Sequence, residues 1–211
     1  MFKEAFIATI VLSLPTNYLV SSVNAESIAP NKGISGDYTP SLIIGIDSEN
    51  KLTGYYENYS GWDEAINAPR FSCIFSFTGT WQGDRYQISS QDLYGEETIK
   101  GKVSFSNQND RLQLNIKLDQ NHGGCWNVQS FDGDRGANFT LEKAGQWQQV
   151  TLVSASQVSV YKEPNKQSPT IFSISQNEII KIFNTQDDWL EIEFENSKII
   201  KGWILKSAIG E

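Results

Sequence analysis

Polar and apolar residues alternate through most of this chain. Between Arg111 and Leu118, Leu112, Leu114, Ile116 and Leu118 fall on one side, with Arg111, Gln113, Asn115 and Lys117 on the other. A period of two is that of a strand with one buried face and one wet face. Phe71, Cys73, Phe75 and Phe77 share a face in the same way. Further strands are predicted at residues 42–47, 51–57, 85–89, 98–105, 125–131 and 138–141, divided by turn clusters such as Asp47-Ser48-Glu49-Asn50 and Asp132-Gly133-Asp134. About eight short strands with no helical stripe predict an all-β fold, either an antiparallel barrel or a sandwich. Trp81, Trp126 and Phe131 are expected in its core.

The pattern changes around Ala144 to Val150, where Gly145 and a run of glutamines separate two strand-rich regions. The first β domain is placed at residues 38–145, after a flexible lead-in at 26–37, and the second at 146–211. In the second, Leu190, Ile192 and Phe194 alternate with Glu191, Glu193 and Glu195, which predicts a core face and an acidic solvent face. Four pieces follow in order: Val158-Ser159-Val160-Tyr161-Lys162-Glu163-Pro164-Asn165, the pair of short strands across Ile171 to Ile182, Asp187-Asp188-Trp189-Leu190-Glu191-Ile192, and Gly202-Trp203-Ile204.

In that order and spacing they resemble a bacterial SH3-like domain over Thr151 to Gly210. The resemblance implies a small β-barrel with a shallow aromatic groove suited to extended peptides. Tyr161, Trp189 and Trp203 are the implied contacts, with both tryptophans also serving the core. Such modules often attach exported proteins to peptidoglycan or its stem peptides. Two departures bear on this. Asn177 stands where a turn glycine is usual and tolerates a left-handed backbone. Tyr161 stands where arginine is common, which removes any contact that needs a positive charge there.

The N-terminus changes the chemical setting. Lys3, the apolar run Ala5 to Leu14, Pro15 and the small residues of Val23-Asn24-Ala25 read as an export signal, residues 1–25, cleaved after Ala25. The apolar run is too short to span a bilayer, and no later segment is long and apolar enough. The expected location is the periplasm or the exterior, where two thiols persist as a disulfide. Cys73 and Cys125 are therefore expected to pair, closing a loop worth ~4 kcal/mol. The competing reading makes Cys125 a nucleophile served by His122, but His122-Gly123-Gly124 has the composition of a turn.

Charge narrows the partners. The 211 residues carry 25 Asp and Glu against 17 Lys and Arg, a net charge of -8, which argues against nucleic acid. One histidine and two cysteines argue against a metal site, and nothing calls for a cofactor. Adjacent carboxylates, Asp63-Glu64 and Glu96-Glu97, diverge on a strand and make no hydrolytic pair. In the first domain the cluster Gly54 to Trp62 offers Tyr56, Tyr59 and Trp62 as a stacking platform for a sugar or a protein, unless Tyr55 or Tyr56 turns into the core. These features favour a non-enzymatic envelope binding protein whose module takes a peptide or peptidoglycan component. The alternative is an inhibitor or immunity protein neutralising a basic, wall-degrading envelope enzyme. A hydrolase using His122 is more remote.

Overall fold

A computed structural model of the chain describes residues 32–93, 95 and 97–210. The export signal and residues 26–31 of the expected lead-in lie outside the described residues. Eight strands run in sequence order around a closed antiparallel barrel: β1 (Gly36–Thr39), β2 (Leu42–Ile46), β3 (Lys51–Asp63), β4 (Ala68–Trp81), β5 (Tyr86–Asp92), β6 (Thr98–Gln108), β7 (Arg111–Leu118) and β8 (Ala137–Ala144). β1 pairs back onto β8, so a barrel rather than a sandwich is formed. β1 starts at Gly36, inside the stretch expected to be flexible; its pairing with both β2 and β8 is what closes the wall.

Alternation sends every second side chain inwards. Leu114, Ile116 and Leu118 are buried as their period predicts, as are Cys73, Phe75 and Phe77. Tyr56 and Phe75 meet Phe131 edge-on, with ring centroids 5.1 and 5.0 Å apart. Rings thus fill this small barrel, leaving it a packed core rather than a ligand cup.

The strand predicted at 125–131 is absent. Cys125–Asn127 is one 3-10 turn, in a loop that crosses the barrel end and drops Cys125 and Phe131 into the core. The cause is local. Cys125 is bonded to Cys73 with their Cα atoms 4.5 Å apart, and Gly124 sits at φ 81 against β4. A Cβ at Gly124 would lie 2.3 Å from the Ser72 carbonyl oxygen, so only glycine fits this approach. With Cys125 drawn into the wall, the tight turn sends Trp126 outwards, and this expected core residue is 68% exposed.

β3 and β4 outlast their neighbours. β2 accompanies β3 only as far as Tyr56, and β5 accompanies β4 only as far as Phe75. Past the buried Cys73, residues 59–72 therefore form a two-stranded arm beyond the barrel wall.

The second domain is a six-stranded sheet in the order β11-β10-β14-β13-β12-β9, made of β9 (Gln149–Leu152), β10 (Gln157–Tyr161), β11 (Thr170–Ser175), β12 (Ile179–Gln186), β13 (Trp189–Asn196) and β14 (Lys198–Leu205). Leu190, Ile192 and Phe194 are buried as expected, and Asn177 takes φ 66 in its turn. The acidic face differs from expectation at Glu193, which is buried. Register sets Glu193 opposite Lys201, whose Nζ lies 3.1 Å from the carboxylate and covers it.

β9 joins the two domains. It pairs with β12 while Trp147 and Val150 pack on Tyr55 of the barrel, with Ile43, Ile74 and Phe183 around them. The backbone N–H of Val150 donates to Thr53 Oγ1 at 2.8 Å. Lys181 Nζ lies 2.9 Å from Asp37 Oδ1 and 4.2 Å from the Trp147 ring centroid. Each buried ring or aliphatic chain contributes about 2 kcal/mol, so this joint is a small core of its own. No helix among the described residues is long and apolar enough to cross a membrane.

Candidate functional site

β10 ends in a register shift between Val160 and Tyr161. A bulge re-aims the side chain that follows it. Tyr161 there pairs with Trp203 of β14, and Trp203 with Glu191 of β13. Gly202 permits this approach, because a Cβ on it would lie 2.6 Å from both the Tyr161 carbonyl oxygen and Val160 Cγ1. The Tyr161 and Trp189 rings then meet edge to face, with centroids 5.3 Å apart and planes at 86°. All three aromatics are half-buried. The structure thus brings Tyr161 and Trp189 into contact and places Trp203 beside Tyr161 in register. A depression of about 170 Å³ is lined by Tyr161 with Ser159, Leu205 and Ser207 among others, and by neither tryptophan. Such a surface can bury an apolar side chain and hydrogen-bond an extended backbone. Asp187, Asp188 and Glu191 lie beside it in sequence or register, so an anionic ligand gains nothing from charge here.

The aromatic cluster of the barrel divides between its two faces. Tyr56, expected among ligand contacts, points inside the barrel and is fully buried, because Leu52, Gly54 and Tyr56 share the inward parity of β3. Asn58 Nδ2 donates to its hydroxyl at 3.2 Å. Tyr55 takes the opposite face and is buried against Trp147. Tyr59 and Trp62 lie on the arm and are exposed. Glu57 accepts from Tyr55 at 2.7 Å and also from the Tyr59 hydroxyl. That bond to Glu57, ahead of burial, pushes the Tyr59 phenol up to about 12; for Tyr55 burial acts first and raises it further.

His122 is buried between Ser90 and Glu97. The Ser90 hydroxyl donates to the Ile99 carbonyl at 2.9 Å, so the 2.9 Å contact with His122 is filled by Nε2–H donating to Ser90 Oγ. Nδ1 is then an acceptor with no hydrogen-bond partner, 3.8 Å from Glu97 Oε2. Burial holds the imidazole below its usual range, opposed by Glu97 and Asp92. The order serine, histidine, carboxylate resembles a nucleophile relay, but Ser90 is fully buried and its proton is committed to Ile99. Cys125 is in the disulfide and presents no thiolate. Among the described residues no cluster of His, Cys, Asp and Glu has the grouping to hold a metal ion. Asp132 accepts from Asn121 Nδ2 at 2.7 Å and from Ser130 Oγ at 2.9 Å, which makes it a loop brace.

Trp126 and Phe71 are exposed aromatics that sequence reasoning did not select. The signal for Trp126 was the Gly123-Gly124 pair, which ends any alternation before Cys125. For Phe71 there was none, since its parity is that of Cys73 and only the unequal lengths of neighbouring strands leave it outside.

Residues 156–210 match the family model described as a bacterial SH3 domain. β9 lies ahead of the matched residues, and no family matches the N-terminal part. No curated protein and no solved structure matches the chain significantly.

Proposed function

We propose that this is an exported, non-enzymatic binding protein of the bacterial cell envelope, in which the SH3-like module holds a peptide or peptidoglycan component against Tyr161 and Trp189. The observation that carries this reading is the edge-to-face pair of those two rings at the outer surface of a domain matching the bacterial SH3 family. The disulfide between Cys73 and Cys125 supports a periplasmic or secreted location, because cytoplasmic reductants keep such thiols apart. Trp203 supports the groove from the side, its backbone paired with Tyr161.

Sedimentation of the full chain with purified peptidoglycan tests the reading. Removing residues 146–211 would strip Trp147 and Val150 from Tyr55 and damage the barrel wall, so the intact protein is the right reagent. Pelleting with the wall is expected. A protein that stays in the supernatant at every wall concentration contradicts the assignment.

A further inference from the structure

The arm and the 3-10 turn beside it carry a second surface. Trp62 and Trp126 are 62% and 68% exposed, and Tyr59 is 46% exposed. A surface depression of about 620 Å³ is lined by Tyr59, Ser60, Gly61, Trp62 and Pro69. Tyr59 and Trp62 share this depression, and Trp126 stands on the turn whose neighbouring Asn127 is bonded to Ser60 of the same lining; exposed tryptophan and tyrosine mark a contact surface, because they dominate binding hot spots. The rings sit on a braced scaffold. Ser60 Oγ donates to the Asn127 carbonyl at 2.6 Å, the disulfide fixes the turn to β4, and Arg70 Nη2 holds Asp63 at 2.7 Å across the arm. Little freedom remains to be lost on binding.

Charge selects the occupant. The described residues at this end of the barrel, within 57–74, 92–93, 95, 97 and 119–136, hold eight of the fourteen described acids up to residue 145 and only two of the ten bases. The rest of that stretch is close to neutral. Of the two bases, Arg70 is already bound to Asp63. Glu57 is oriented by the Tyr55 and Tyr59 hydroxyls, and no described lysine or arginine pairs with it. A lysine or arginine laid over these rings meets both a π-face and a carboxylate. A neutral glycan would use the rings but not the acids, and an anionic membrane would be repelled.

We propose that this end of the barrel docks a basic protein through Trp62 and Trp126. The surface shares no residue with the Tyr161–Trp189 face, so neither proposal rests on the other.

The test is binding of the full chain to cytochrome c, to a lysozyme and to a peptide of alternating lysine and leucine, with a chitin oligosaccharide as the glycan probe. At least one basic probe is expected to bind, with affinity falling as salt rises and dropping about tenfold or more in Trp62→Ala and Trp126→Ala. Gln108→Ala, exposed at the opposite end of the barrel, should bind unchanged. Unaltered thermal midpoints in the two tryptophan variants guard against loss of fold, and Glu57→Gln, which keeps the side-chain shape, should weaken binding in parallel. Failure of all three basic probes overturns the proposal, as does binding indifferent to Trp62 and Trp126. Trp62-dependent binding of the oligosaccharide without the basic probes makes the surface a glycan site and overturns it too.

Discussion

The indole Nε1 of Trp147 donates to the carbonyl of Ile44 at 2.7 Å, a bond that crosses from the linker between the domains into the barrel wall. It fastens β9 to β2 from the side opposite the barrel core. The two domains are therefore coupled by a buried tryptophan and not by a free tether.

Trp147→Ala is expected to cost about 3 kcal/mol, because it removes a buried ring and leaves the Ile44 carbonyl short of its donor. Urea unfolding followed separately in each domain should change from coincident transitions to two resolved ones. Trp147→Phe should lose only about 1 kcal/mol, the share of the hydrogen bond. Coincident transitions in Trp147→Ala would show that the joint does not couple the domains.

The Cys73–Cys125 bond closes a separation of 52 residues. Reduction, or Cys73→Ser with Cys125→Ser, should destabilise the barrel by ~4 kcal/mol in the chain-entropy account. Amide exchange should quicken first in the loop at 119–136 and in the arm, where the Ser60–Asn127 hydrogen bond would be left to hold the turn. An unchanged unfolding midpoint in reductant would contradict this.

His122 gives stability a pH dependence. Its folded-state pKa is lowered from 6.5, chiefly by burial. The unfolded chain therefore binds a proton at a pH where the native state does not, and stability falls as pH drops through and below 6.5 towards the folded value. Urea midpoints measured from neutral pH downwards should show that fall, and His122→Gln should remove this component. A midpoint rising on acidification would mean that the Glu97 ion pair outweighs desolvation.

Much of the fold was legible because period two is unambiguous where one face is buried. Arg111–Leu118 is a strand with the predicted ends, and the cysteine pairing followed from compartment and count. The segment after Cys125 misled because its composition suits a strand while its backbone is governed by a covalent tie to Cys73 and a left-handed glycine, neither of which has a period. β1 went unread because four residues, Gly36–Thr39, are too few to display alternation. At the site, the adjacent tyrosines had to face opposite ways, but which of them entered the core depended on register with β4. Tyr161 and Trp189 were named by resemblance; their contact depends on the bulge at Tyr161, which a sequence does not display.

The central claim is that Tyr161 and Trp189 form the ligand face of the SH3-like module, and calorimetric titration of soluble peptidoglycan fragments tests it most directly. Stem tetrapeptide and disaccharide-tetrapeptide would be titrated into the full chain, Tyr161→Ala and Trp189→Phe. The account predicts binding by the natural chain, a loss of about tenfold or more in Tyr161→Ala, and a smaller loss in Trp189→Phe, which keeps a ring in the pair. Equal affinity in all three proteins, or no heat of binding with either fragment, would contradict it.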